Sequence, residues 1–258
     1  MAIENKKVGI LGIGHLAGFI IEGAIKANPN ISFVLSPRSL ARATNLATRY
    51  NATVAPDNQS LVDQCDMILV CLPVAQGAEI LSGLIFRPEQ SVLSAMAGVS
   101  RDVIAKTVAP ASSFLTMMPG HANALGHGPC LLYPTDPQWD EFLSLIGQVF
   151  PIETADIFEV ASVFGGFSGA NFAFITQISE WFESKGLPAD LARHLVAETL
   201  RGNAHVVASV DTPLREISKG VATSGGITEK CVDTLNSQGA LIAWSDALDA
   251  VFKKVSGS

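Results

Sequence analysis

From Lys7 to about Ala155, short apolar runs rich in β-branched residues alternate with segments of helical period. That alternation is the pattern of βαβ units feeding a largely parallel sheet. Strands are predicted at residues 8–12, 31–35, 67–72, 91–96, 114–118 and 130–133, and crossover helices at 16–27 and 40–50. After about Asp156 the strand signals stop, and the rest reads as helices punctuated by Gly and Pro. Gly186-Leu187-Pro188 and Asp211-Thr212-Pro213 mark helix junctions, each with a Pro suited to a new first turn. The expected fold is α/β: a Rossmann-type doubly wound sheet over residues 1–155, then an all-α domain over 156–258. A helix predicted from Pro188 to Ser209 is apolar or small on much of its circumference, with Leu191, Leu195, Thr199, Gly202 and Val206 on one side and Ala192, Val196, Leu200 and Val207 beside them. So few charges predict burial against another subunit, hence a homodimer or higher homo-oligomer.

Composition sharpens this picture. A chain of 258 residues has room for two domains, and 48% apolar against 16% charged residues is a globular balance. The net charge of −7 gives no sequence-independent grip on nucleic acid or an anionic membrane. Lys6 and Lys7 ahead of residues 8–13 imitate a secretory signal, but that run is short and glycine-interrupted, so a first strand is preferred. No apolar stretch is expected to reach the roughly 18 residues that cross a bilayer. Cys65, Cys71, Cys130 and Cys231 form no Cys-x-x-Cys pair, which points to reduced, buried thiols and a cytoplasmic protein.

The first strand runs into Gly12-Ile13-Gly14-His15-Leu16-Ala17, a G-x-G-x-x-A turn opening a helix. Gly12 allows the tight turn, Gly14 a close approach of pyrophosphate to the backbone, and Ala17 close helix-to-strand packing, while free N–H groups of the first helical turn face the phosphates. After the second strand, where NAD enzymes place an acid for the adenosine ribose, the chain reads Ser36-Pro37-Arg38-Ser39. Ser36 is expected to cap the next helix and Pro37 to start it. Arg38 is expected to meet a 2′-phosphate, with Arg42 one helical turn on. Absence of the acid and presence of the arginine together predict NADP(H).

Over nearly its whole length the chain resembles the pyrroline-5-carboxylate reductase family. The resemblance rests on Gly12 to Ala17, Ser36 to Arg38, Asp57-Asn58, Ala97-Gly98-Val99, Met118-Pro119-Gly120 and Thr223-Ser224-Gly225-Gly226-Ile227-Thr228, in the family's order and spacing. Gly186 to Pro188 and Ala197-Glu198-Thr199 also look like the family's helical domain. The resemblance implies hydride transfer from NADPH to a cyclic imine, pyrroline-5-carboxylate or a close analogue, at a site between the Rossmann domain and helices of a dimer. Cofactor contacts are implied for Gly12, Gly14, His15, Leu16, Ala17, Ser36, Arg38, Asn58, Leu72, Pro73, Ala97 and Gly98. Thr228 would hydrogen-bond the ring nitrogen, and the backbone of Gly225, Gly226 and Ile227 would hold the substrate carboxylate. The chain departs from the family at Leu72-Pro73-Val74, where a lysine is missing. It departs again at His15 and Gly120, each in place of Asn, and over residues 165–171, Gly-Gly-Phe-Ser-Gly-Ala-Asn.

Other constellations weigh less. His15, His121, His127, His194 and His205 show no second ligand at metal spacing, so no metal is expected. His121 is a candidate general acid. Trp139, Trp181 and Trp244 lack a basic patch and read as packing residues. Two alternatives remain: a β-hydroxyacid-dehydrogenase-like enzyme, disfavoured because no lysine lies between Lys106 and Lys185, and a catalytically idle NADPH-binding regulator.

Overall fold

The computed structural model describes residues 6–50 and 52–257. It divides into two compact units, Met1–Gly165 with Phe252–Ser258, and Gly166–Val251. In the first, β1 (Lys7–Leu11), β2 (Ser32–Leu35), β3 (Ala52–Val54), β4 (Met67–Val70), β5 (Ser91–Ser94), β6 (Ser112–Met117), β7 (Pro129–Tyr133) and β8 (Gln148–Pro151) form one sheet. Its order is β3-β2-β1-β4-β5-β6-β7-β8, parallel throughout except for the antiparallel pair β6 and β7. The helices are α1 (His15–Ala27), α2 (Leu40–Arg49), α3 (Asn58–Gln64), α4 (Val74–Ser82), α5 (Arg101–Val108), α6 (Pro137–Ser144) and α7 (Ala155–Ser162).

Every residue of β4 is buried, which is why Met-Ile-Leu-Val reads as a continuous apolar run rather than an alternating one. The two sheet faces carry separate cores. Val8, Ile10, Ile20, Ile21 and Phe33 meet Trp139 and Phe142 on one face, while Leu11, Ile68, Val92 and Leu115 pack with Leu61 and Ile104 on the other. Trp139 is fully buried, and its indole N–H donates to Ser91 Oγ at 2.6 Å, as its packing role requires. The chain leaves β1 toward β2 on one side and returns through β4 on the other. Strand order therefore reverses between β1 and β4, and the crevice beyond their carboxyl ends is where such sheets bind ligands.

All six predicted strands and both predicted crossover helices are present. The two strands that periodicity missed, β3 and β8, lie at the two edges of the sheet, where few residues are buried and alternation carries no signal. Pro151 ends β8, where the missing N–H costs no ladder bond. Tyr133 and Phe158 bring rings to 6.0 Å, fastening α7 to the α/β unit.

The second unit holds most of α8 (Phe164–Ser184), all of α9 (Ala189–Ser209), α10 (Leu214–Val221) and α11 (Ile227–Ser237), and α12 (Ala240–Ser256) as far as Val251. Gly186, at φ 98°, closes α8: its N–H donates to Glu183 O at 2.9 Å and that of Leu187 to Phe182 O at 3.1 Å. Pro188 and Pro213 occupy the N-cap positions of α9 and α10, one residue ahead of the expected first turn. Little of this unit is buried. In α9 only Ala192 and Val196 are, while Phe172, Trp181, Leu191, Leu195 and Ile242 stay exposed. One expectation is overturned here. Residues 155–184 form the one helical stretch among the described residues long and apolar enough to cross a bilayer, its 18-residue apolar window having mean hydropathy 1.2. No charge occurs from Val160 to Ser179, but interspersed Gly, Ser and Asn break the apolar run to the eye.

Candidate active site

The glycine turn is built at the strand-order reversal. Gly12 adopts φ 95°, and a Cβ there would lie 2.7 Å from Cys71 O, so only glycine lets β1 pass so close to the end of β4. The Gly12 N–H donates to Ser36 Oγ at 2.9 Å, and Ser36 N–H to Ile10 O at 3.1 Å. Ser36 is therefore not the helix cap expected of it: its buried hydroxyl ties the end of β2 to the turn. The residue at the N-cap of α2 is Ser39, and Pro37 and Arg38 lie ahead of that helix, so Arg38 and Arg42 are not one helical turn apart.

At Gly14 the situation is the reverse of that at Gly12. A Cβ there would meet nothing within 4 Å, and Gly14 is the N-cap of α1 without any side-chain cap. The first turn, His15, Leu16 and Ala17, contains no acid and offers its N–H groups beside open space. Positive dipole end, unpaired donors and room are together what an anion such as a pyrophosphate requires of a helix start.

Arg38 is exposed and donates from Nη1 to Gln76 Oε1 at 2.6 Å. Gln76 lies in the first turn of α4, after Leu72 and Pro73, so this bond links the carboxyl ends of β2 and β4. Because Gln76 is neutral, it orients the guanidinium while leaving its charge uncompensated. Asn58 opens α3, and its Oδ1 is buried with no hydrogen-bond partner. An orphaned acceptor of that kind calls for a ligand donor or an ordered water. Its neighbour Asp57 caps the helix, accepting from Ser60 N–H at 2.7 Å. That backbone hydrogen bond is the main reason its carboxyl is held below the usual range.

Further along the same sheet edge, a cavity of about 140 Å³ opens at the ends of β5 and β6. Ala97 and Gly98 form part of its wall with Arg101, Thr116, Glu159 and Ser162. Gly98, at φ 76°, passes close to Val255 O. Beyond β6, Met118-Pro119-Gly120 turns under the control of Asn123. Its fully buried Oδ1 accepts the Gly120 N–H at 2.9 Å while Nδ2 donates to Ile146 O at 3.0 Å. His121, carried by this turn, sets its ring 4.2 Å from that of Phe19 on α1. Among the described residues no cluster of His, Cys, Asp or Glu could hold a metal. Burial pushes the thiols of Cys65, Cys71 and Cys130 up to about 12, whereas Cys231 is exposed, contrary to expectation.

In the helical unit, Thr228 sits in the first turn of α11 and Gly226 at its N-cap. Gly225 adopts φ 73°. The Gly226 N–H donates to Thr223 O at 2.9 Å and the Gly225 N–H to Glu229 Oε2 at 2.6 Å. Two of the three amides expected to hold a carboxylate are thus already engaged within the loop.

Two family models match the chain: residues 7–98 fit the one described as NADP oxidoreductase coenzyme F420-dependent, and residues 156–257 the one described as pyrroline-5-carboxylate reductase dimerisation. Pyrroline-5-carboxylate reductase 1 of Bacillus subtilis is 24% identical over 97% of this chain and 89% of its own length. The fold matches that of the pyrroline-5-carboxylate reductase of Streptococcus pyogenes, with TM-score 0.87 at 22% identity over 98% and 99% of the two chains. It also matches the Plasmodium falciparum pyrroline carboxylate reductase solved with NADP bound, with TM-score 0.85 at 18% identity over 99% of each. The chain belongs to the pyrroline-5-carboxylate reductase family. Within that family's frame, Gly12 to Ala17, Ser36, Arg38, Asn58, Leu72 and Pro73 come together along the carboxyl ends of β1 to β4, with Ala97 and Gly98 past the end of β5. Residues 165–171, which depart from the pyrroline-5-carboxylate reductase pattern, run through the start of α8. There Asn171 Nδ2 turns back to donate to Phe167 O at 2.9 Å.

Sequence reasoning missed Gln76, Asn123 and Glu229. Gln76 and Asn123 carry no local motif. Glu229 stands at the acid position of a capping box, but it reaches the amide one residue ahead of the N-cap, and Gly226 stands where Ser or Thr would have flagged the motif.

Proposed function

We propose that this protein reduces the C=N bond of pyrroline-5-carboxylate, giving proline, with NADPH as the hydride donor. The observation that carries the reading is the turn at Gly14. Uncapped N–H groups face open space at the strand-order reversal of a reductase-family sheet, with an uncompensated arginine at the adjoining strand end. The residues present fit NADP(H): the amides of His15, Leu16 and Ala17 would hold the pyrophosphate, Arg38 the 2′-phosphate, and the orphaned Asn58 Oδ1 would accept from the cofactor. Ala97 and Gly98 would flank the nicotinamide, since their cavity lies at the ends of the neighbouring strands. When bound, the cofactor supplies a hydride to the imine carbon, and the electron pair of the C=N bond moves onto nitrogen. A protonated iminium needs no further acid. Thr228 would orient the ring nitrogen, and the start of α11 would face the carboxylate.

Assembly belongs to the same proposal. The helical unit buries too few of its own apolar residues to account for α8, α9 and α12 as solvated helices, and a homodimer would cover them. The reading is tested by comparing pyrroline-5-carboxylate with 1-pyrroline, the same ring without its carboxylate, as NADPH-consuming substrates. The imino acid should be turned over faster. Equal rates with Thr228→Val unchanged would remove the α11 loop from the site.

A further inference from the structure

Glu229 seats its own carboxylate on the amide that a substrate carboxylate would use. Its Oε2 accepts from Gly225 N–H at 2.6 Å, across a turn that only glycine makes comfortably, Gly225 being at φ 73°. The loop is tight beneath it: a Cβ on Gly226 would lie 2.6 Å from Thr223 Oγ1. Glu229 follows Thr228 directly, and among the described residues it makes no ion pair that would neutralise it. Lys230 occupies the next position of the helix and is not among the cations paired with an acid in the described residues.

We propose that Glu229 is a specificity-determining residue, an internal carboxylate that an anionic substrate must displace before it can reach the start of α11. This rests on the reading of Thr223 to Thr228 as the substrate loop and adds to it a limit on substrate class. A carboxylate on the imine meets a like charge and a donor already engaged. A ring without a carboxylate, whose protonated iminium is a cation, meets neither obstacle. Selection for the carboxylate is therefore weaker in this chain than the loop alone would give. A helix-capping role for Glu229 makes a different forecast, because Gln caps in the same geometry as Glu.

The test uses the full-length protein with Glu229→Gln, which keeps the acceptor and removes the charge, and Glu229→Ala, which removes both. Hydrogen bonds to charged groups and exposed like-charge contacts together set the scale, so KM for pyrroline-5-carboxylate should fall about 3- to 20-fold in both variants. KM for 1-pyrroline should stay level or rise, and kcat should change little. A KM for pyrroline-5-carboxylate that is unchanged in Glu229→Gln, or that changes equally for both substrates, overturns the proposal and leaves Glu229 a cap. If Thr228→Val leaves turnover of both substrates at the parent value, the loop is not the substrate site, and the underlying reading fails instead. A circular dichroism spectrum and melting temperature at parent values confirm that each variant is folded.

Discussion

Replacing Gly14 by alanine separates what the glycine turn does for folding from what it does for binding. Its backbone lies at φ −93°, which any residue adopts, and the added Cβ would meet no protein atom within 4 Å. The variant should therefore be as stable as the parent, or more stable by about 0.4–1 kcal/mol through the smaller entropy of its unfolded chain. Binding should suffer, because a methyl group would stand where the pyrophosphate approaches the amides. Losing even one hydrogen bond to a charged oxygen costs roughly 1.5–3 kcal/mol, so Kd for NADPH should rise about 10- to 100-fold. Gly12→Ala gives the opposite pattern. At φ 95°, with its Cβ 2.7 Å from Cys71 O, it combines a left-handed backbone with overlap against main chain. About 1–2 kcal/mol for the first and 1–3 kcal/mol for the second predict destabilisation of about 2–5 kcal/mol. Chemical denaturation and a fluorescence titration with NADPH measure both quantities on the same samples. Parent affinity for NADPH in a folded Gly14→Ala would refute the placement of the phosphates.

Other perturbations have equally definite outcomes. Arg38→Ala should erase most of a 10- to 100-fold preference for NADPH over NADH, the value of one charge-assisted hydrogen bond at about 1.5–3 kcal/mol. Gln76→Glu should narrow it by setting a negative charge beside the guanidinium, both read as Kd ratios. Asn123→Ala removes a buried side chain that satisfies Gly120 and Ile146, and should cost about 2–4 kcal/mol in denaturant unfolding. Gly202 on α9 has open space around it, so Gly202→Glu folds as a monomer's helix but should lower the light-scattering mass or yield insoluble protein if that face is an interface. Thr228→Val should lower turnover roughly 10- to 1000-fold with NADPH binding nearly intact.

The parts of the fold legible in the sequence were those governed by local chemistry. The β1 turn announces itself because each glycine meets a different backbone demand, and β4 because a strand buried on both faces is apolar throughout. Edge strands such as β8 leave no such trace, since little of them is buried. Ser36 shows the limit at the site: a serine before proline and arginine suits a helix cap by local rules, yet its hydroxyl serves the glycine turn 24 positions away. Asn123 and Gln76 act through partners equally remote in sequence, at 23 and 38 positions. Glu229 is local, and was hidden only by a glycine at the cap.

The central claim is that this chain passes hydride from NADPH to a cyclic imine bearing a carboxylate. The most direct measurement mixes the purified protein with NADPH and pyrroline-5-carboxylate, follows the nicotinamide absorbance, and identifies the product. The account predicts stoichiometric NADPH consumption and formation of proline, slower with NADH at equal concentration. Absence of NADPH oxidation by a folded protein that binds NADPH would contradict it.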